Sequence, residues 1–190
     1  MVKSEFENKA LKEVFTIECK DIMLREFQRE DIDELYNLTL QTEITDYMPD
    51  WIGTRSQYED WMENIYIKNN KKFLEDVPNI KNDALALGII LKETNEFIGW
   101  CCIFPNDEIP KPNMEISYAI SKYHRNKGYV TEATKGLIKY LLEKTNIEVL
   151  NIMALKYNEP SNEVINKCGF KYIGDTKLGN RELYHYILKK

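Results

Sequence analysis

Ligands for metals and partners for disulfides are scarce in this 190-residue chain, which has two histidines, His124 and His185, and four cysteines, Cys19, Cys101, Cys102 and Cys168. None falls at the spacing of a zinc site, so no metal is expected. Adjacent Cys101 and Cys102 would point to opposite faces of a strand, and reduced thiols are the natural reading. Positive charge is also short: 26 Lys and Arg stand against 31 Asp and Glu, a net charge of -5. A general nucleic-acid binder needs a positive surface that displaces counterions from phosphates, so no nucleic-acid partner is expected. No apolar run approaches the ~20 residues of a membrane span, and Met1 to Phe6 lead into a charged segment without a signal core. The expectation is a cytoplasmic protein with no membrane partner. Eight glycines and six prolines form no linker, and there is no internal repeat.

What is present reads as one packed domain. A hydrophobic share of 43% and a charged share of 30% are ordinary for a globular chain. Residues 1 to about 20, with Phe6, Ala10, Leu11, Val14 and Phe15 at loosely helical spacing, read as an extension, either an amphipathic segment or a tail. Residues 21–190 then form a single domain. Ile22 to Phe27 reads as a strand and Asp31 to Leu38 as a helix with acids in its first turn. Pro49 and Gly53 punctuate a loop, after which Tyr58, Trp61, Met62, Ile65 and Tyr66 keep helical spacing. Ala84 to Leu91 and Phe97 to Phe104 make a hairpin, and Asn113 to Ile120 a third consecutive strand. A long helix follows from Gly128 to about Lys144, then a strand from Val149 to Leu155. A short helix, Asn158 to Lys167, is closed by Gly169, and a terminal hairpin turns at Leu178-Gly179-Asn180. The fold class is mixed α/β.

A strand ending near Ile120 and a helix opening near Gly128 frame a polar connection where free backbone N–H groups and the positive end of the helix dipole converge. Gly128 lets backbone approach an anion, and Arg125 and Lys127 add positive charge. The loop is neither a Walker loop nor a Gly-x-Gly-x-x-Gly dinucleotide turn, which disfavours nucleoside triphosphates and NAD.

Glu115-Ile116-Ser117-Tyr118-Ala119-Ile120, followed by Tyr123-His124-Arg125-Asn126-Lys127-Gly128-Tyr129-Val130-Thr131-Glu132-Ala133, resembles the cofactor motif of the GCN5-related N-acetyltransferases (GNAT superfamily). The ribosomal-protein/spermidine branch is the most similar. Ile22 to Phe27 upstream, and Asn158-Glu159-Pro160-Ser161 and Lys167-Cys168-Gly169-Phe170 downstream, extend the resemblance over roughly residues 20 to 188. It implies a mostly antiparallel sheet of six to seven strands, splayed at the cofactor strand, with about four helices. It also implies acetyl-CoA as co-substrate, its pyrophosphate held by amides from Asn126 to Thr131. In the family the loop is Gln/Arg-x-x-Gly-x-Gly/Ala, so Val130 stands where a small residue is usual. Asn158 and Ser161 would lie near the thioester, and a main-chain N–H around Ala119 or Ile120 would face the oxyanion.

The resemblance further implies acetyl transfer to a primary amine of a protein N-terminus, a polyamine or a small amino compound. Such attack needs a base, an oxyanion donor and an acid for the thiolate. Glu115 is the candidate base, though a lone strand Glu is more often a solvated or salt-bridged residue. Many members carry a tyrosine acid four residues before the final Gly-Phe glycine; here that position is Ile165. Ser161, Tyr157 or water would act instead, or the thiolate leaves unaided. Ser161 has a second reading, with its hydroxyl bonded to helix backbone. Tyr47, Asp50 and Trp51 are the candidate acceptor contacts, with Asp46 beside them, while Tyr58 and Trp61 read as core. His124 would meet phosphate or solvent, and His185 is structural. The alternative reading is a sensor that binds acetyl-CoA with little turnover. A homodimer is the oligomeric prior.

Overall fold

The computed structural model describes residues 14–190. Its centre is one sheet of eight strands in the order β1-β2-β3-β4-β5-β6-β8-β7. In chain order these are β1 (Thr16–Glu18), β2 (Ile22–Glu26), β3 (Leu85–Leu91), β4 (Glu96–Pro105), β5 (Met114–Ile120), β6 (Val149–Leu155), β7 (Lys171–Leu178) and β8 (Arg181–Lys189). The helices are α1 (Ile32–Thr39), α2 (Thr42–Thr45), α3 (Arg55–Trp61), α4 (Ile67–Asp76), α5 (Tyr129–Lys144) and α6 (Glu159–Lys167). The mixed α/β class is as expected, and no helix of the described residues is long and apolar enough to cross a membrane.

Every residue of β3, Leu-Ala-Leu-Gly-Ile-Ile-Leu, is buried, because a central strand covered by helices on both faces has no solvent side to make polar. Strand alternation sorts the side chains into two cores. Cys101 and Ile103 join the core that includes Leu137 and Leu141 of α5. Trp100 and Cys102 join the one containing Leu35 of α1 and Tyr58 of α3. The two neighbouring cysteines therefore lie on opposite faces, and all four are free thiols.

Three elements differ from the sequence expectation. The described residues hold eight strands rather than six or seven: Thr16–Glu18, read as part of an extension, pair with Met23–Arg25 of β2. A three-residue edge strand is too short to show alternation. The rest of the helical spacing, at Phe6, Ala10 and Leu11, lies outside the described residues. Six α-helices are found among the described residues, against about four expected. Four-residue α2 has no period to read, and the helix around Tyr58–Tyr66 continues through a π-type turn, Met62–Tyr66, into α4. The buried side of α4 breaks the hydrophobic pattern because beside Phe73 it carries Asn70, which is 1% exposed. Its amide bonds both the N–H and the carbonyl of Ala86, at 2.7 and 2.8 Å, so its burial is satisfied.

The sheet changes character at one place. β5 pairs antiparallel with β4 over its whole length, Met114↔Pro105 to Ile120↔Gly99. Its parallel pairing with β6 has a single register pair, Glu115↔Asn151. Beyond Glu115 the two strands part, and β5 from Ile116 to Ile120 presents an open backbone edge. Gly99 fixes the other side, since a Cβ there would run into the Ala119 carbonyl oxygen. β4 and β5 stay in close contact while β5 and β6 open.

Candidate active site

The parting of β5 and β6 opens a cleft of about 630 Å³. Of the residues singled out from the sequence, Tyr47, Asp50, Trp51, Glu115, Ala119, Ile120, Arg125, Asn126, Gly128, Tyr129, Val130, Thr131, Asn158 and Ser161 all line it. Lys127 does not; it is exposed.

Glu115 sits where the strands begin to part and is 7% exposed. Burial pushes its carboxyl up to about 7, against the Asn106 side-chain amide and the Met153 backbone, which favour the ionised form. The Asn106 bond runs from Nδ2 to Glu115 Oε2 at 2.6 Å. The reading of Glu115 as a salt-bridged strand residue finds no cation within reach among the described residues. A buried carboxylate that titrates near neutrality, at the rim of a cleft, suits proton transfer.

At the other end of the cleft the chain turns from β5 into α5. Asn126 and Gly128 take left-handed conformations, φ +61° and +85°, and a Cβ on Gly128 would meet nothing within 4 Å. Glu132 is the first residue of α5 whose N–H finds a backbone carbonyl, that of Gly128 at 3.0 Å. Among the described residues the amides of Asn126 to Thr131 bond to no backbone carbonyl, which leaves a run of donors at a helix N-terminus. His124, 8% exposed, turns Nε2 toward Glu96 at 3.4 Å while its Nδ1 has no hydrogen-bond partner. Open N–H groups at a helix N-terminus attract an anion, and a bound diphosphate would satisfy them. The residues present fit the acetyl-CoA that the motif implies.

The side chains of this loop do something other than expected. The Arg125 guanidinium donates to the Glu43 carbonyl of α2 and is spent on position. Gln41 Oε1 accepts from Lys122 N at 2.8 Å, and its Nε2 donates to Ser121 Oγ at 3.3 Å. These contacts tie the segment carrying Tyr47, Asp50 and Trp51 to the strand-helix turn. Glu132 of the motif accepts from the N–H groups of Asp21 and Ile22, at 2.7 and 3.3 Å, and holds the β1–β2 turn against α5.

On the β6 side, Asn158 is the N-cap of α6, its Oδ1 accepting from Ser161 N at 3.2 Å. The Ser161 hydroxyl is not bonded to helix backbone; it lies 3.0 Å from the phenol oxygen of Tyr118, which also reaches the Ser161 carbonyl at 3.1 Å. Tyr118 lies within the motif, which assigns it no role. Strand alternation, which sets Tyr118 on the face opposite Glu115, was the available signal. Ile165 is fully buried in the core.

The third region is gathered from distant segments. Asp50 pairs with Arg181 of β8 at 2.7 Å, and Tyr47 lies with its ring 6.0 Å from that of Tyr157. Trp51 is less free than its loop position implies: it stacks on buried Trp100, centroids 4.1 Å apart. Tyr58 is core, as read. Asp46 ends α2 and is not among the cleft residues. Arg181, Leu178 and Leu183 join the lining through the β7–β8 turn; their share was hidden in sequence, since the contact with Asp50 spans 131 positions.

A sheet parted at one strand pair, with an open strand edge, an unsatisfied helix N-terminus and a poised carboxylate along the gap, defines an acyltransferase that binds an extended thioester donor. Residues 21–171 match the family model described as the acetyltransferase (GNAT) domain. The chain belongs to that family, and is an acetyl-CoA-dependent N-acetyltransferase. It is 30% identical over 160 residues to an N-acetyltransferase of Bacillus licheniformis named p20, itself uncharacterized, covering 84% of each chain. Its fold is similar to that of a GNAT-family acetyltransferase from Bacillus anthracis, with a TM-score of 0.74 at 18% identity, covering 92% of this chain and 98% of that one. It is similar too to RimL, the ribosomal L7/L12 alpha-N-protein acetyltransferase, solved with coenzyme A, with a TM-score of 0.73 at 15% identity, covering 92% and 98%.

Proposed function

We propose that the protein acetylates a primary amine by direct attack, in the cytoplasm, with Glu115 as the base that takes the amine's proton. The observation that carries the proposal is the position of Glu115: a buried carboxyl titrating near 7 at the point where β5 leaves β6. Bound acetyl-CoA supplies an activated acetyl group. The amides of Asn126 to Thr131 hold the donor's diphosphate, with Gly128 keeping the approach clear and Tyr129 and Val130 packed in part against the core. Val130, in place of a small residue, is half-buried, packing partly against the core while it lines the cleft.

Ala119 turns its carbonyl toward Gly99, and Ser121 N donates to Ile98 O at 2.8 Å. Since alternate residues of a strand point to alternate edges, the N–H of Ile120 faces the gap and serves the oxyanion, in preference to that of Ala119. Ser161 donates to the departing sulfur. Tyr47, Asp50 and Trp51 form the acceptor side, where aromatic faces suit a cationic amine. RimL acts on the N-terminus of a ribosomal protein, which favours a peptide N-terminus over a polyamine as the first acceptor to try.

The test is thiol release from acetyl-CoA with peptides of varied N-terminal residue, polyamines and small amines. Release that depends on one amine and collapses in Glu115→Gln supports the reading. Tight acetyl-CoA binding, with release in Glu115→Gln equal to wild type, would remove Glu115 from the chemistry.

A further inference from the structure

The phenol of Tyr118 has one proton and two oxygens of the same residue within reach, Ser161 O at 3.1 Å and Ser161 Oγ at 3.0 Å. Both residues line the cleft. Tyr118 comes from the strand that parts and Ser161 from the first turn of α6, so the pair bridges the gap itself. The position of the family's tyrosine is taken by Ile165, whose side chain is apolar and completely buried. We propose that Tyr118 is the positioning residue for Ser161, holding its hydroxyl where it donates a hydrogen bond to the thiolate sulfur released from the thioester. This rests on the acetyl-transfer reading above.

The step balances without proton transfer from the phenol. The amine nitrogen forms the N–C bond, the C–S bond breaks, and its electron pair goes to sulfur; the amine proton goes to Glu115. As charge grows on sulfur, Ser161 turns its O–H into the cleft, and Tyr118 swings its own O–H from the Ser161 carbonyl to Oγ. Each bond in such a chain strengthens the next. Burial holds the Tyr118 phenol protonated far above its ordinary range, so it stays a donor throughout and never competes for the role of acid. The sulfur leaves as a thiolate and is protonated by water on release.

Titration calorimetry with CoA and with desulfo-CoA, at about pH 7 and about pH 9, reads this directly, since a thiol near pKa 8.5 ionises across that interval. In the wild type the preference for CoA over desulfo-CoA should grow by about tenfold with pH, the size expected of a hydrogen bond to a charged group. Tyr118→Phe should lose most of that growth while its affinity for desulfo-CoA is unchanged. Ser161→Ala should lose it all, and the double variant no more than Ser161→Ala. If Tyr118→Phe keeps the pH-dependent preference, or weakens both ligands equally, the phenol only packs and the proposal falls. If the wild type binds neither ligand, the donor reading of the cleft fails first and takes this one with it.

Discussion

The two ends of the cleft are built on different principles. At the donor end a single stretch, Asn126 to Thr131, supplies backbone amides through one turn, and the cationic side chains of Lys122 and Arg125 just before it are both spent on Glu43. At the acceptor end Tyr47, Asp50, Asn106, Leu178 and Arg181 arrive from three separate loops, and the contacts are made by side chains. A site made of backbone is set by local conformation and tolerates most substitutions. One made of side chains changes with each residue, so the same fold keeps its donor while its acceptor varies.

That contrast breaks most visibly at Glu115, where the ends meet. Glu115→Gln should lower kcat by roughly 10²–10⁴, the usual span for a lost general base, with acetyl-CoA affinity intact by calorimetry. Equal losses in both would mean that the two ends are not separable there.

The same carboxyl has a signature in stability. Its pKa is raised from 4.5 to about 7, so between those values the folded chain holds a proton the unfolded chain has lost. The favourable contribution is full below pH 4.5 and disappears as pH rises through 7. Glu115→Gln should therefore gain stability relative to wild type between about pH 5 and about pH 8, by a few kcal/mol at most. Urea melts at the two pH values that give the same difference would show that Glu115 is not buried as described.

Gly128→Ala probes the donor end. Any side chain at φ +85° carries a penalty of about 1–2 kcal/mol, and a Cβ there would occupy space that is open beside the amides. Acetyl-CoA should bind about tenfold more weakly, while Lys127→Ala, outside the cleft, should change affinity little. Equal effects of the two would argue for charge over backbone.

Arg181→Ala, at the acceptor end, should have the smallest effect on the protein itself: an exposed ion pair with Asp50 stabilises by under about 1 kcal/mol. Acetyl-CoA affinity should stay as it was, and any change should appear only in the KM for the amine. Weaker acetyl-CoA binding in this variant would couple the ends more tightly than the Gln41 bridge implies.

Apolar runs and period marked β3, β4 and α5 without help, since a fully buried strand and a long amphipathic helix write their environment into consecutive residues. β1 and α2 were illegible because three or four residues carry no period, and α4 because polar Asn70 shares its buried side with Phe73. For the site, the loop from Arg125 to Thr131 and the carboxylate at Glu115 could be read from one continuous motif. The sequence by itself determined that an amide-lined turn follows a Glu-bearing strand, because both are local to the backbone. Only the tertiary structure decided that Glu115 is buried enough to titrate near 7, that Tyr118 meets Ser161 across the gap, and that Arg181 closes on Asp50. Each of those depends on β6, β7 and β8 folding back beside β5, and a contact between residues 43 or 131 positions apart leaves no periodic trace in the chain.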